Sequence, residues 1–158
     1  MRIPFVLGPL LVLLGGIGTF VISLRTWYAV DLTKIPGGGA LSAQVARSQG
    51  YATTANGWEP WGTFSDLLLF LVIAIAVFTG VAGLTNRRDN ARLAFAAAVA
   101  GLLGIVLNGL HLISEPEPSE LVTVRPVAWL SVVFCGLVLL GGGRWFDTLA
   151  IHHLGKKH

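Results

Sequence analysis

Residues 3–24 read IPFVLGPLLVLLGGIGTFVISL, with no charged side chain in the run. A bilayer core about 30 Å thick is crossed by about 20 apolar helical residues at roughly 1.5 Å each. This run is long enough to span it. Three more stretches follow the pattern. Phe64–Leu84 carries only Asp66, near its start, and Leu93–Ile113 carries only Asn108 and His111 as strongly polar residues. Val127–Gly143 is slightly short and extends to Trp145. Continuous apolar runs of this kind differ from the alternating segments, about ten residues each, of a membrane β-barrel. The expected fold is an all-α membrane protein, one domain over residues 1–158, with spans at about 3–24, 64–84, 93–113 and 127–145.

Composition agrees with the spans. Of 158 residues, 54% are apolar and only 12% charged. A soluble domain carries about 25% charged residues, so a soluble globular domain and a disordered chain are excluded. The single cysteine, Cys135, excludes an intramolecular disulfide and a multi-cysteine metal cluster. A signal peptide has an apolar core of about 7–15 residues. The Ile3–Leu24 run is longer and is read as a retained span.

Lys and Arg set the expected orientation. Arg2, Arg87, Arg88, Arg92, Arg144, Lys156 and Lys157 fall on one side, and Arg25, Lys34, Arg47 and Arg125 on the other. Both termini and the Asn86–Ala91 link are therefore expected in the cytoplasm, with the protein in the plasma membrane. The loops at about 25–63 and 114–126 face outward. In the first, Lys34–Gly57 holds Pro36 and Gly37–Gly39 and reads as irregular chain, with a short amphipathic turn over Leu41–Arg47. The second carries Glu115, Glu117 and Glu120, with Pro116 and Pro118 stiffening it against helix. It reads as a solvated acidic loop without a calcium-loop signature.

Lipid tails are as apolar as Leu, so small and polar residues decide helix contacts. Gly15 and Gly18 lie on one seam of the first span, Gly80 and Gly83 on the second, and Gly101 and Gly104 on the third. These are the expected packing positions. Ser131 and Cys135 share the seam of the fourth span. Short links after spans two and three favour an up-down-up-down four-helix bundle. The surplus of small residues predicts a second packing surface, for self-association or a partner.

Two groups are candidate sites. Four of the five tryptophans sit at the outer edge. With their neighbours they give an expected partner- or lipid-docking surface of Arg25, Trp27, Tyr28, Trp58, Glu59, Trp61, Arg125 and Trp129. The plainer reading is an aromatic belt at headgroup level. Asp66, Asn108 and His111 form the second group, an expected polar pocket near the outer boundary. Ionisable residues in spans usually face the interior and pair, which makes Asp66 and His111 an expected pair. The plainer reading is a hydrated His and an Asp favoured by its helix N-terminus.

Other chemistry is excluded. His152, His153 and His158 stand with Lys156 and Lys157 in a basic tail, anchored by Trp145, Phe146 and Leu149 and suited to anionic lipid. Their spacing marks no metal site. Only His111 lies in a span, too few for the usual pair of haem ligands. There is no nucleotide-binding glycine motif. Ser65 and Ser114 could meet His111 and Asp66, but no nucleophile turn surrounds them. No cofactor, enzymatic activity or nucleic-acid partner is expected.

Arg25-Thr26-Trp27 after the first span, then a long loop, then Trp58 and Trp61 before the second, resembles the small four-span tryptophan-associated membrane proteins of actinobacteria. The likeness covers the whole chain as topology, and those positions as residues. It implies no established activity and no catalytic residue. Claudin-like proteins share the four-span plan with both termini inside and a Trp-containing first outer loop. This chain lacks their paired loop cysteines, so the analogy is architectural. The expected function is a structural or accessory membrane subunit that packs on itself or on other subunits. The alternative is a lipid- or small-ligand-binding, transport-associated protein using Asp66, Asn108 and His111.

Overall fold

A computed structural model of the chain describes residues 3–31, 45, 48, 53–60, 62–85, 91–114 and 121–154. The elements in chain order are α1 (Ile3–Ser23), β1 (Thr26–Val30), β2 (Thr54–Asn56), α2 (Thr63–Thr85), α3 (Ala91–Ile113), β3 (Val122–Val124) and α4 (Pro126–Leu154). All four helices are long and apolar enough to cross a membrane. They pack as an up-down-up-down bundle, and the chain is a four-span integral membrane protein.

Local sequence explains where helices begin. Pro126 opens α4, and its fixed φ and missing N–H suit the first helical position. Gly62 precedes α2 at φ +77°, a conformation that side chains with a Cβ rarely adopt. Asp66 in the first turn of α2 complements the helix dipole. At its far end, α4 runs beyond the expected Trp145 boundary to Leu154. Trp145 and Leu149 were expected to anchor a tail at the membrane. Instead they pack with Ala94 inside the bundle, where the extended helix carries them.

The glycines decide how closely the helices approach. An ideal Cβ on Gly15 would lie 2.6 Å from Val138 Cγ2, and one on Gly142 would lie 2.6 Å from the Ala98 backbone N. On Gly80 it would lie 2.8 Å from Leu13 Cα. Such contacts leave no room for a side chain, so α4 seats tightly on α1 and α3, and α2 seats on α1. The α2–α3 pair is the most open of the four neighbouring pairs. Its outward edge is lined by large residues such as Leu71, Phe95 and Leu103, which leave an apolar groove. Around the perimeter Phe70, Phe78, Leu102 and Leu140 are exposed to the lipid.

The two loops expected to face outward are not irregular throughout. β1 and β2 come from the first loop and β3 from the second, and they form an antiparallel sheet in the order β2-β1-β3. Irregular chain was expected over Lys34–Gly57, and Thr54–Asn56 departs from it as strand. The Leu41–Arg47 turn (Val45 excepted), Glu115, Glu117, Glu120, Trp61, Arg87, Arg88 and His158 lie outside the described residues.

Candidate functional site

The sheet caps one end of the bundle. The chain leaves α1 in a turn in which Arg25 N donates to Ile22 O at 2.9 Å. β1 then pairs Tyr28 with Ala55 of β2 and with Val124 of β3. The β1–β2 register shifts between Thr26 and Tyr28, which makes Trp27 a bulge residue. A regular strand would send consecutive side chains to opposite faces. Here both turn inward: Trp27 is 0% exposed and Tyr28 2%.

These two residues were expected on a docking surface, and the structure corrects that. They form the core under the cap, with Leu112, Val122 and Ala128. Trp27 Nε1 donates to Ile22 O at 2.8 Å, and the Tyr28 hydroxyl donates to His111 O at 2.7 Å. Buried Trp and Tyr need such partners for their polar ends. Gly57 closes over the indole: its N donates to Ser23 O, and a Cβ there would lie 2.9 Å from Trp27 Cε2.

Trp58 is half-buried, and its Nε1 donates to Ser23 Oγ at 2.9 Å. Glu59 is exposed, yet its Oε2 accepts from Asn56 N, while Asn56 Oδ1 accepts from Trp58 N and Glu59 N. This reciprocal turn fixes the run before α2. Arg25, Arg125 and Trp129 are exposed. Arg125 N donates to Trp27 O at 2.7 Å, so its backbone is tied to the cap.

Beneath the cap the bundle interior is polar. Thr19, Ser23, Asn108 and Ser131 are all buried at 1% exposure or less, and His111 at 3%. Thr19 Oγ1 and Asn108 Nδ2 each lie 3.5 Å from Cys135 Sγ, which joins α1, α3 and α4. The expected pairing of Asp66 with His111 is replaced by a neighbour. Ser65 Oγ lies 2.6 Å from His111 Nε2 and bridges α2 to α3. Ser65 falls on the side of α2 toward α3, whereas Asp66 shares its stripe with buried Leu69 and Ile73. Asp66 Oδ1 and Asn108 Oδ1 are both buried without a hydrogen-bond partner among the described residues.

Each expected packing glycine meets a neighbour within the bundle. Gly15 and Gly18 face Val138 and Phe134 on α4, Gly80 faces Leu13, and Gly83 faces Pro9 and Trp145. Gly101 faces Leu139, and Gly104 faces Cys135 and Val72. These seams are therefore filled by the chain itself.

Comparison with protein-family models, with curated proteins and with solved structures finds no match. The arrangement must be read on its own geometry. Sequence reasoning weighed Ser65 beside His111 only as part of a catalytic site, and missed Ser23 as the hydrogen-bonding partner of Trp58. Their one available signal was a small hydroxyl at each helix end, beside the aromatic cluster.

Proposed function

We propose that the chain is a non-enzymatic structural or accessory subunit of a larger membrane complex or homo-oligomer, docking through its capped outer end. The observation that carries this reading is the pairing of β1 with β3, which joins the two outer loops into one sheet. Arg25, Glu59, Arg125 and Trp129 stand exposed on or beside that fixed backbone. A preorganised surface loses less entropy on binding, and Trp and Arg are the residues that most often dominate interfaces. The seam glycines do not contribute, because their neighbours inside the bundle fill them.

The test is the native mass of the full chain, extracted gently from its own membranes. The expected particle holds other polypeptides in fixed ratio, or a defined number of copies. Arg25→Glu with Arg125→Glu should break it while leaving the thermal midpoint of the bundle unchanged. A monomer without partners would overturn the reading.

A second reading has its own supporting observation, the two buried oxygens of Asp66 and Asn108 that have no hydrogen-bond partner among the described residues. Buried acceptors without donors are costly, and a small ligand or lipid headgroup carrying donors would satisfy them. On that reading the purified wild type retains such a molecule, and Asp66→Asn releases it without changing the oligomeric state. Wild-type protein that retains no small molecule would overturn it.

A further inference from the structure

The open face between α2 and α3 is an apolar groove of about 470 Å³. Leu71 and Ile75 line it from α2, and Phe95, Ala96, Val99 and Leu103 from α3. Along α3 it runs from Phe95 to Leu110, which is about 22 Å of helix at roughly 1.5 Å per residue. At the capped end the Ser65–His111 hydrogen bond crosses from one helix to the other.

The opposite end carries a cation. Arg92 precedes Phe95, Ala96 and Val99 by three, four and seven positions, so it lies on the same helical stripe. It is exposed, and it makes no ion pair among the described residues. By sequence alone, the link joining these two helices adds Arg87 and Arg88. A long apolar slot ending at an exposed guanidinium that makes no ion pair among the described residues has the two chemistries of an anionic phospholipid, an acyl chain and a phosphate. Basic pockets between spans recognise such headgroups, and Arg matches phosphate geometry in bidentate fashion.

The geometry points to a binding site for one anionic phospholipid of the leaflet opposite the sheet. Its acyl chain occupies the α2–α3 groove, and its phosphate sits at Arg92. This site is separate from the capped end and does not depend on how that end docks.

Native mass spectrometry of the delipidated full chain tests it, with equimolar phosphatidylglycerol and phosphatidylcholine of identical acyl chains. The wild type should retain phosphatidylglycerol about five-fold over phosphatidylcholine, the size of one near-surface cation's contribution. Arg92→Gln should bring the ratio close to one. Arg144→Gln removes an exposed cation from α4, away from the groove, and should leave the preference intact. Val99→Trp, at a partly exposed groove position, should lower retention of both lipids. Equal retention by the wild type would overturn the proposal. So would equal losses in Arg92→Gln and Arg144→Gln, which mark a diffuse charge effect. Undiminished retention in Val99→Trp, or a second copy filling the groove in a lipid-free dimer, would also overturn it.

Discussion

The Tyr28 hydroxyl donates to the backbone carbonyl of His111 at 2.7 Å. His111 lies in the last turn of α3, where carbonyls have no partner within the helix. The strand that follows α1 thus completes the end of a helix distant in sequence. Tyr28→Phe removes the donor and leaves that carbonyl buried. The expected cost is about 1–2 kcal/mol, or roughly 2–4 °C of thermal midpoint per kcal/mol in a chain of this size. Thermal unfolding in detergent measures it. An unchanged midpoint would show that another donor replaces Tyr28.

Glycine substitutions should divide by what a Cβ meets. On Gly101 it would lie 2.7 Å from Leu139 Cα, which is backbone and cannot swing away, whereas Gly109 and Gly136 have nothing within 4 Å. Gly101→Ala should destabilise the bundle by about 1–3 kcal/mol through overpacking. Gly109→Ala and Gly136→Ala should be neutral or gain up to about 1 kcal/mol, because Ala loses less backbone entropy in a helix. Midpoints of the three variants, measured side by side, check the split. Equal losses would mean that backbone flexibility, rather than close approach, is what these glycines supply.

The bundle was legible because hydrophobicity and length together fix a span, and because glycine seams mark where backbones can meet. The sheet was not. β2 and β3 are three residues each, too short for alternation to register, and the pairing of β1 with β3 joins chain separated by two helices. The faint signal was β-branched content, Thr26 and Val30 in one loop and Val122, Thr123 and Val124 in the other. The site was half legible. Asn108 and His111 face the interior as their seam implied, but Ser65, rather than Asp66, meets His111 Nε2. Composition cannot show which of two adjacent residues on a helix reaches across. Trp27 misled for a related reason: a Trp past the end of a span is usually an anchor, and only the bulge turns it inward.

That contrast gives a third prediction. Trp27 is wholly buried, whereas Trp129 on α4 is 53% exposed. Trp27→Ala removes a fully packed indole and its bond to Ile22 O, for an expected cost of about 3–5 kcal/mol. Trp129→Ala should cost less than about 1 kcal/mol, because lipid replaces the lost contact and only an interfacial anchor is removed. Unfolding in detergent and in lipid nanodiscs separates them, with the Trp129 variant differing between the two media and the Trp27 variant low in both. A stable Trp27→Ala protein would contradict the account of the cap as a packed core.

Cys135 supplies a fourth prediction, and a direct probe of the polar interior. It is the chain's single cysteine, so thiol labelling reports one position. It is 1% exposed, within 3.5 Å of Thr19 Oγ1 and Asn108 Nδ2. A membrane-permeant maleimide should leave it unmodified in the folded protein and label it fully after denaturation. Labelling in the native state then requires the bundle to open, and its rate follows the population of the open form. A Cβ on Gly104 would lie 2.6 Å from Cys135 Sγ and 3.0 Å from Val72 Cγ1, so Gly104→Val crowds the packing of α3 against α4 and α2 at this level. An overpacking cost of at least about 1.4 kcal/mol raises the open population tenfold, and native labelling should accelerate by that factor or more. Rapid labelling of the wild type would show instead that the Thr19–Cys135–Asn108 layer is open to the reagent in the folded state.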